Sequence, residues 1–233
     1  MWSSPPGWLQ VLAWVSLLVA VVCAIAILVD ILGRGRRQQM GVMEWVWPIT
    51  ALYAGPLALL GYRRFGRPAS PRWREEQGLE KAPPKPAWAS YAVGVSHCGA
   101  GCTLGDIVAE LLVFALAIEV AGQALWAELI GDYVLAIIFG LAFQYFAIAP
   151  MRRLGVRAGL VAAAKADILS LTAFEVGLFG WMALQAFVLF PDPHLRPDSA
   201  TYWFGMQIGM CLGFLTAYPV NVWLIKRGTK EAM

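Results

Sequence analysis

Residues 8–32 read WLQVLAWVSLLVAVVCAIAILVDIL, and their only charge is Asp30, near the far end. A helix of that length rises roughly 37 Å, more than the ~30 Å hydrocarbon core of a bilayer. No Lys or Arg precedes the run and no small-residue cleavage site follows it. It therefore reads as a retained membrane helix and not as a signal peptide.

The rest of the chain agrees with that reading. Of 233 residues, 59% are apolar and 14% charged, against roughly 45–50% and about 25% in soluble domains. A soluble domain of this size has too little interior to hide so much apolar surface. The expected class is all-α, a single integral membrane helical bundle spanning the chain. A net charge of +3, concentrated in loops, leaves no footprint for nucleic acid.

Further apolar runs cover residues 42–62, 107–126 (with an extension reaching back to about Trp88), 130–150, 168–190 and 202–225. About six membrane helices is the simplest count. Between the second and third lies a basic, Pro-rich segment, 63–87, with Arg63, Arg64, Arg67, Arg72, Arg74, Lys81 and Lys85. It reads as a water-exposed cytoplasmic linker, followed by a core bundle over 88–225. Arg152, Arg153 and Arg157 mark a second cytoplasmic loop, and Lys226, Arg227 and Lys230 a cytoplasmic tail. Six spans would leave Arg34, Arg36 and Arg37 on the outer side, against the positive-inside bias. The alternative is five spans plus a re-entrant 42–62 segment carrying Pro48 and Pro56, which brings every basic loop inside.

The least generic stretch is Ser96-His97-Cys98-Gly99-Ala100-Gly101-Cys102-Thr103-Leu104-Gly105-Asp106. Imidazole, two thiols and a carboxylate suit a soft or borderline metal such as copper or zinc, so His97, Cys98, Cys102 and Asp106 are the candidate ligands. If the stretch is helical, Cys98, Cys102, Asp106 and Glu110 form one polar stripe, drifting about 40° per step. If the glycines break the helix, it starts near Leu104, and Cys102 sits at its N-terminus, where the dipole favours thiolate. The plain alternative is packing, because Cys is often a small buried hydrophobe. A Cys-x₃-Cys spacing is neither the Cys-x₂-Cys of zinc ribbons nor that of thioredoxin-like sites. Cytoplasmic placement of the segment would keep the thiols reduced, leaving room for a transient redox pair.

Charges inside apolar runs add a second signal. Glu110 and Glu119 fall in the third run, Asp132 in the fourth and Glu175 in the fifth, with Lys165 and Asp167 at its cytoplasmic border. Such residues face the bundle interior, and the excess of acids favours cations or protons. Glu110, Asp167 and Glu175 are the candidate ion path, which Gln144, Tyr145, Gln185, Gln207 and Asn221 would extend. Gly205, Gly209 and Gly213, with Ala217, form a small-residue face suited to helix packing, within the chain or in a homo-oligomer. Met206 and Met210 share a face and read as packing.

Phosphate-binding glycine loops, His-Glu-x-x-His and Gly-x-Ser-x-Gly are lacking, which excludes nucleotide-driven transport by this chain alone and the common hydrolases. From about Met40 onward the chain resembles a family of bacterial membrane proteins known as domain of unknown function 4396. The runs that carry the resemblance are Trp47–Tyr53, Ser96–Asp106, Phe143–Pro150, Leu171–Gly177 and Tyr218-Pro219. It implies a polytopic protein of the bacterial inner membrane and brings no catalytic residues. The leading expectation is a cation transporter or channel for a soft metal captured on the cytoplasmic side. The rivals are a membrane thiol oxidoreductase using Cys98 and Cys102, and a non-catalytic accessory subunit.

Overall fold

The computed structural model describes residues 5–231. The chain is helical, and its one pairing of strand type among the described residues is an isolated bridge between Val120 and Gln123. Among the described residues five helices are long and apolar enough to cross a membrane. They are α1 (Gly7–Leu28, running on as a wider turn over Val29–Gly33), α5 (Ala87–Leu116), α6 (Ala124–Arg152), α7 (Val156–Leu184, then a wider turn over Gln185–Leu189) and α8 (Ala200–Lys226). Helices α2 (Met43–Ala54), α3 (Pro56–Gly61) and α4 (Pro71–Glu76) are short. Apolar side chains such as Val11, Leu18, Val22 and Ile25 of α1 stay exposed, as a face turned to lipid requires.

The second apolar run is therefore not a sixth continuous span. It folds as α2 and α3 joined at Gly55, whose φ of +51° is open to glycine but strained for other residues. Pro56 then starts α3 at the position where its missing N–H costs nothing. The two arms return side by side. The Trp47 ring stands edge-on to Tyr62 with centroids 5.8 Å apart, although Trp47 lies early in α2 and Tyr62 follows α3. Twelve residues of α2 reach about 18 Å, roughly half a bilayer plus headgroups. The tip's carbonyls, orphaned by the break, are caught from α8. The Gln207 amide donates to Leu52 O at 2.7 Å and the Cys211 thiol to Tyr53 O at 3.7 Å. Irregular backbone at membrane depth needs such protein partners.

Asp30 fastens the mouth of this hairpin to α1. Its carboxylate takes Arg36 at 2.8 Å, Arg67 at 2.9 Å, Arg34 at 3.2 Å and the Tyr62 hydroxyl at 2.9 Å. Entry and exit of the hairpin thus share one end of the bundle, the re-entrant arrangement. Arg34, Arg36, Arg37, Arg63, Arg64 and Arg67 then lie at the same end as Arg152, Arg153, Lys226 and Arg227, which follow α6 or close α8. This is the basic end. The opposite end carries the turns 117–123 and 190–199, with Glu119, Asp192 and Asp198.

One open alternative is decided here and two expectations are corrected. The 96–106 stretch does not unwind at its glycines, and α5 runs unbroken from Ala87 to Leu116. Its thiols accordingly lie inside a spanning helix, with Cys98 and Cys102 fully buried, and not in a cytoplasmic segment ahead of it. Glu119 sits in an exposed turn after α5 and not within the membrane run. The glycines serve contact. A Cβ on Gly101 would come within 2.5 Å of Gly140 Cα, and one on Gly105 within 2.5 Å of Ala136 N, so α5 and α6 touch backbone to backbone.

Candidate functional site

The inner faces of α5 to α8 converge on acids. Asp106 and Glu110 project from α5, Asp132 from α6 and Glu175 from α7, and each is at most 1% exposed. Asp132 lies within electrostatic reach of the other three, and Asp106 of Glu110 and Glu175. None of their eight carboxyl oxygens has a hydrogen-bond donor. The Cys102 thiol lies against Glu175 and the Tyr202 hydroxyl against Glu110, close enough to interact but outside hydrogen-bonding geometry. Among the described residues Lys230 is the one buried lysine or arginine, and it pairs elsewhere. Four bare carboxylates in a dry interior would cost far more than folding can offset. The cluster is neutralised by protons held on the carboxyls or by a cation drawn in among them.

Polar groups continue from this cluster in both directions. Toward the basic end, Cys98 shares a hydrogen bond of 2.9 Å with Ser170, whose hydroxyl also accepts from the Asn221 amide. His97 turns about 100° from Cys98 and faces α6, its ring 6.3 Å from that of Phe143 and beside Gln144. Both ring nitrogens of His97 and the Gln144 carbonyl oxygen are buried without a hydrogen-bond partner. The trail ends at Lys230, which folds back after α8 and meets Asp167 at 2.6 Å with both side chains fully buried. Burial pulls the Lys230 ammonium down, but the Asp167 carboxylate outweighs it and holds that ammonium above the ordinary lysine range.

Toward the other end, Glu110 is within electrostatic reach of Glu128. Glu128 and Tyr202 line a cavity of about 540 Å³ walled by the end of α5, the start of α6 and the 190–199 loop. Polar side chains therefore form a file from this cavity, through the four acids, to the Lys230–Asp167 pair.

The expected residues are divided by this geometry. Cys98, Cys102, Asp106 and Glu110 do share the stripe that four-residue spacing requires on the unbroken α5. His97 lies off the stripe, toward α6. Among the described residues, no three His, Cys, Asp or Glu side chains are gathered so as to hold a metal ion. All four cysteines are free thiols. Glu110 and Glu175 belong to the acid cluster, whereas Asp167 is tied to Lys230 at the basic end. Gly209 and Gly213 meet Leu178 and Phe174 of α7, and Gly205 meets Gln185, so the small-residue face is filled from within the chain. Met206 and Met210 pack in the core beside Leu178 and Met182.

Sequence reading did not place Lys230, Tyr202, Glu128 or Asp132 at the site. A lysine four residues beyond a helix reads as solvated tail, and only the tertiary fold turns it inward. Asp132 carried a usable signal, a carboxylate inside an apolar run, but its partners lie on two other helices.

A family model described as Domain of unknown function (DUF4396) matches residues 87–230. The match runs from the start of α5 to Lys230 and contains the whole polar file. No curated protein and no solved structure matches the chain.

Proposed function

Because the chain belongs to that family, domain of unknown function 4396, we propose a function from its geometry: a multi-pass membrane protein that moves a cation across the bilayer in exchange for protons held by Asp106, Glu110, Asp132 and Glu175. The observation that carries this reading is the set of eight buried carboxyl oxygens without a hydrogen-bond donor, on three helices, in line with a cavity open at one end. Intramembrane acids that face one another and no fixed cation are the usual furniture of ion and proton paths. Structural acids would be expected to have found donors, as Asp30 has.

The membrane is inferred to be the cytoplasmic membrane of a bacterium, with the basic end inside, since the re-entrant hairpin brings every basic segment to that end. The cavity then opens outward, and the Lys230–Asp167 pair closes the cytoplasmic end. Soft-metal transport through His97, Cys98, Cys102 and Asp106 is a narrower form of this proposal. It would need those four side chains to gather from the arrangement described above.

The test is flux. Proteoliposomes containing a trapped pH dye receive an external gradient of Na⁺, K⁺, Zn²⁺ or phenethylammonium in turn. At least one cation is expected to drive proton efflux, reduced tenfold or more in Glu175→Gln, which keeps the shape of the side chain but holds no exchangeable acid proton. Equal flux in that variant would overturn the proposal, as would no flux above empty liposomes for every cation.

A further inference from the structure

The outward cavity has features that a bare metal ion does not call for. Its volume of about 540 Å³ falls in the range of sites for small organic ligands, roughly 300–1,000 Å³. Its lining combines hydrocarbon and aromatic side chains, with Phe114, Leu125, Met182 and Met206, and the acids Glu119, Glu128 and Asp192. Against those three acids stands a single guanidinium, Arg196, and it is already engaged, lying over the Phe114 ring 5.2 Å from its centroid. This aromatic wall thus already takes an organic cation, one supplied by the chain itself. Tyr202 also lines the cavity, 7% exposed, with a hydroxyl that has no hydrogen-bond partner.

We propose that this cavity binds a small organic ammonium ion with an apolar body, its charged head between Glu128 and the Tyr202 hydroxyl and its hydrocarbon against Phe114, Met182 and Met206. The head would then rest one step from Glu110, the first acid of the file. This names the cargo of the transport reading and rests on that reading for the passage of the bound ion beyond the cavity. The binding itself is a separate equilibrium property. A primary ammonium donates hydrogen bonds, so the unpartnered Tyr202 oxygen and the Glu128 carboxylate are both suited to receive it. A neutral analogue of the same shape would gain the apolar contacts alone.

The experiment is titration calorimetry on the detergent-purified full chain at neutral pH, with phenethylammonium and its uncharged counterpart 2-phenylethanol as probes. The amine is expected to bind at least tenfold more tightly than the alcohol. Glu128→Gln, at a half-buried position, should erase that difference, and Tyr202→Phe should reduce it several-fold. No heat from the amine at millimolar concentration, or equal affinity for amine and alcohol, would overturn the inference. If the amine fails to bind while an inorganic cation still drives proton flux, only the cargo assignment falls. If the amine binds but no cation drives flux, the cavity stands as a binding site and the transport reading falls.

Discussion

Lys230→Ala is expected to destabilise the protein by about 3–5 kcal/mol, the usual cost of removing one partner of a buried ion pair. Lys230 and Asp167 are fully buried and 2.6 Å apart, so truncating the lysine leaves a carboxylate with no counter-charge and no water. The tail, which backbone bonds from Thr229 and Lys230 to Leu224 O fold onto α8, would also lose its one buried ion pair. Unfolding in mixed micelles, followed by circular dichroism, measures the loss. The double variant Asp167→Asn/Lys230→Met should recover most of it, because an uncharged pair of similar volume removes the stranded charge. A single variant as stable as the parent would show that the pair clamps nothing. The pH dependence has a definite sign. The Lys230 ammonium is held above its ordinary value of 10.5. While Asp167 is ionised, the lysine's contribution is therefore present in full below that value and is lost as pH rises through the higher folded one.

The second large effect is expected at Gly105. A methyl group there would meet Ala136 N at 2.5 Å, Leu135 C at 2.6 Å and Ala136 Cα at 2.8 Å, all backbone atoms of α6 that cannot rotate away. Gly105→Ala must push α5 from α6 and should cost about 3 kcal/mol, the upper part of the range for overpacking. The contact lies one turn from Cys102 and next to Asp106, so the separation would also misalign the acid file. Gly180→Ala is the control. Nothing lies within 4 Å of a Cβ at that position, and alanine should stabilise the helix by up to about 1 kcal/mol. Unfolding of the two variants side by side checks the pair, and similar small effects at both sites would contradict backbone contact between α5 and α6.

The class of fold was legible because lipid imposes a simple demand, apolar runs of bilayer length, and 8–32 meets it without help from the rest of the chain. The hairpin was half legible. Pro48, Pro56 and the misplaced Arg34, Arg36 and Arg37 all pointed to it, but only the contact of Trp47 with Tyr62 shows the arms returning to one end. The glycine-rich thiol segment left a broken and an unbroken helix both open, because helix propensities are measured in water. Inside a membrane an unwound backbone has no solvent to bond to, and helix is kept even through Gly99, Gly101 and Gly105. Those residues were chosen for approach, which depends on a neighbour that a single sequence does not show. The site was legible as types and not as a set. Glu110 and Glu175 stood out as charges in apolar runs, but their meeting with Asp132 across three helices is a property of packing. Lys230 was hidden by its place in a basic tail.

Cys102 lies at the middle of α5 against Glu175, a natural reporter inside the proposed path. In the Cys23→Ala/Cys98→Ala/Cys211→Ala variant, reconstituted in liposomes, an ammonium-bearing thiosulfonate added outside meets the fraction of protein whose cavity faces it. This reagent is expected to modify Cys102, an excess of the transported cation should slow the reaction, and the sulfonate-bearing analogue should fail to react. A Cys102 that neither reagent reaches, or that both reach equally, would contradict a cation path through the four acids.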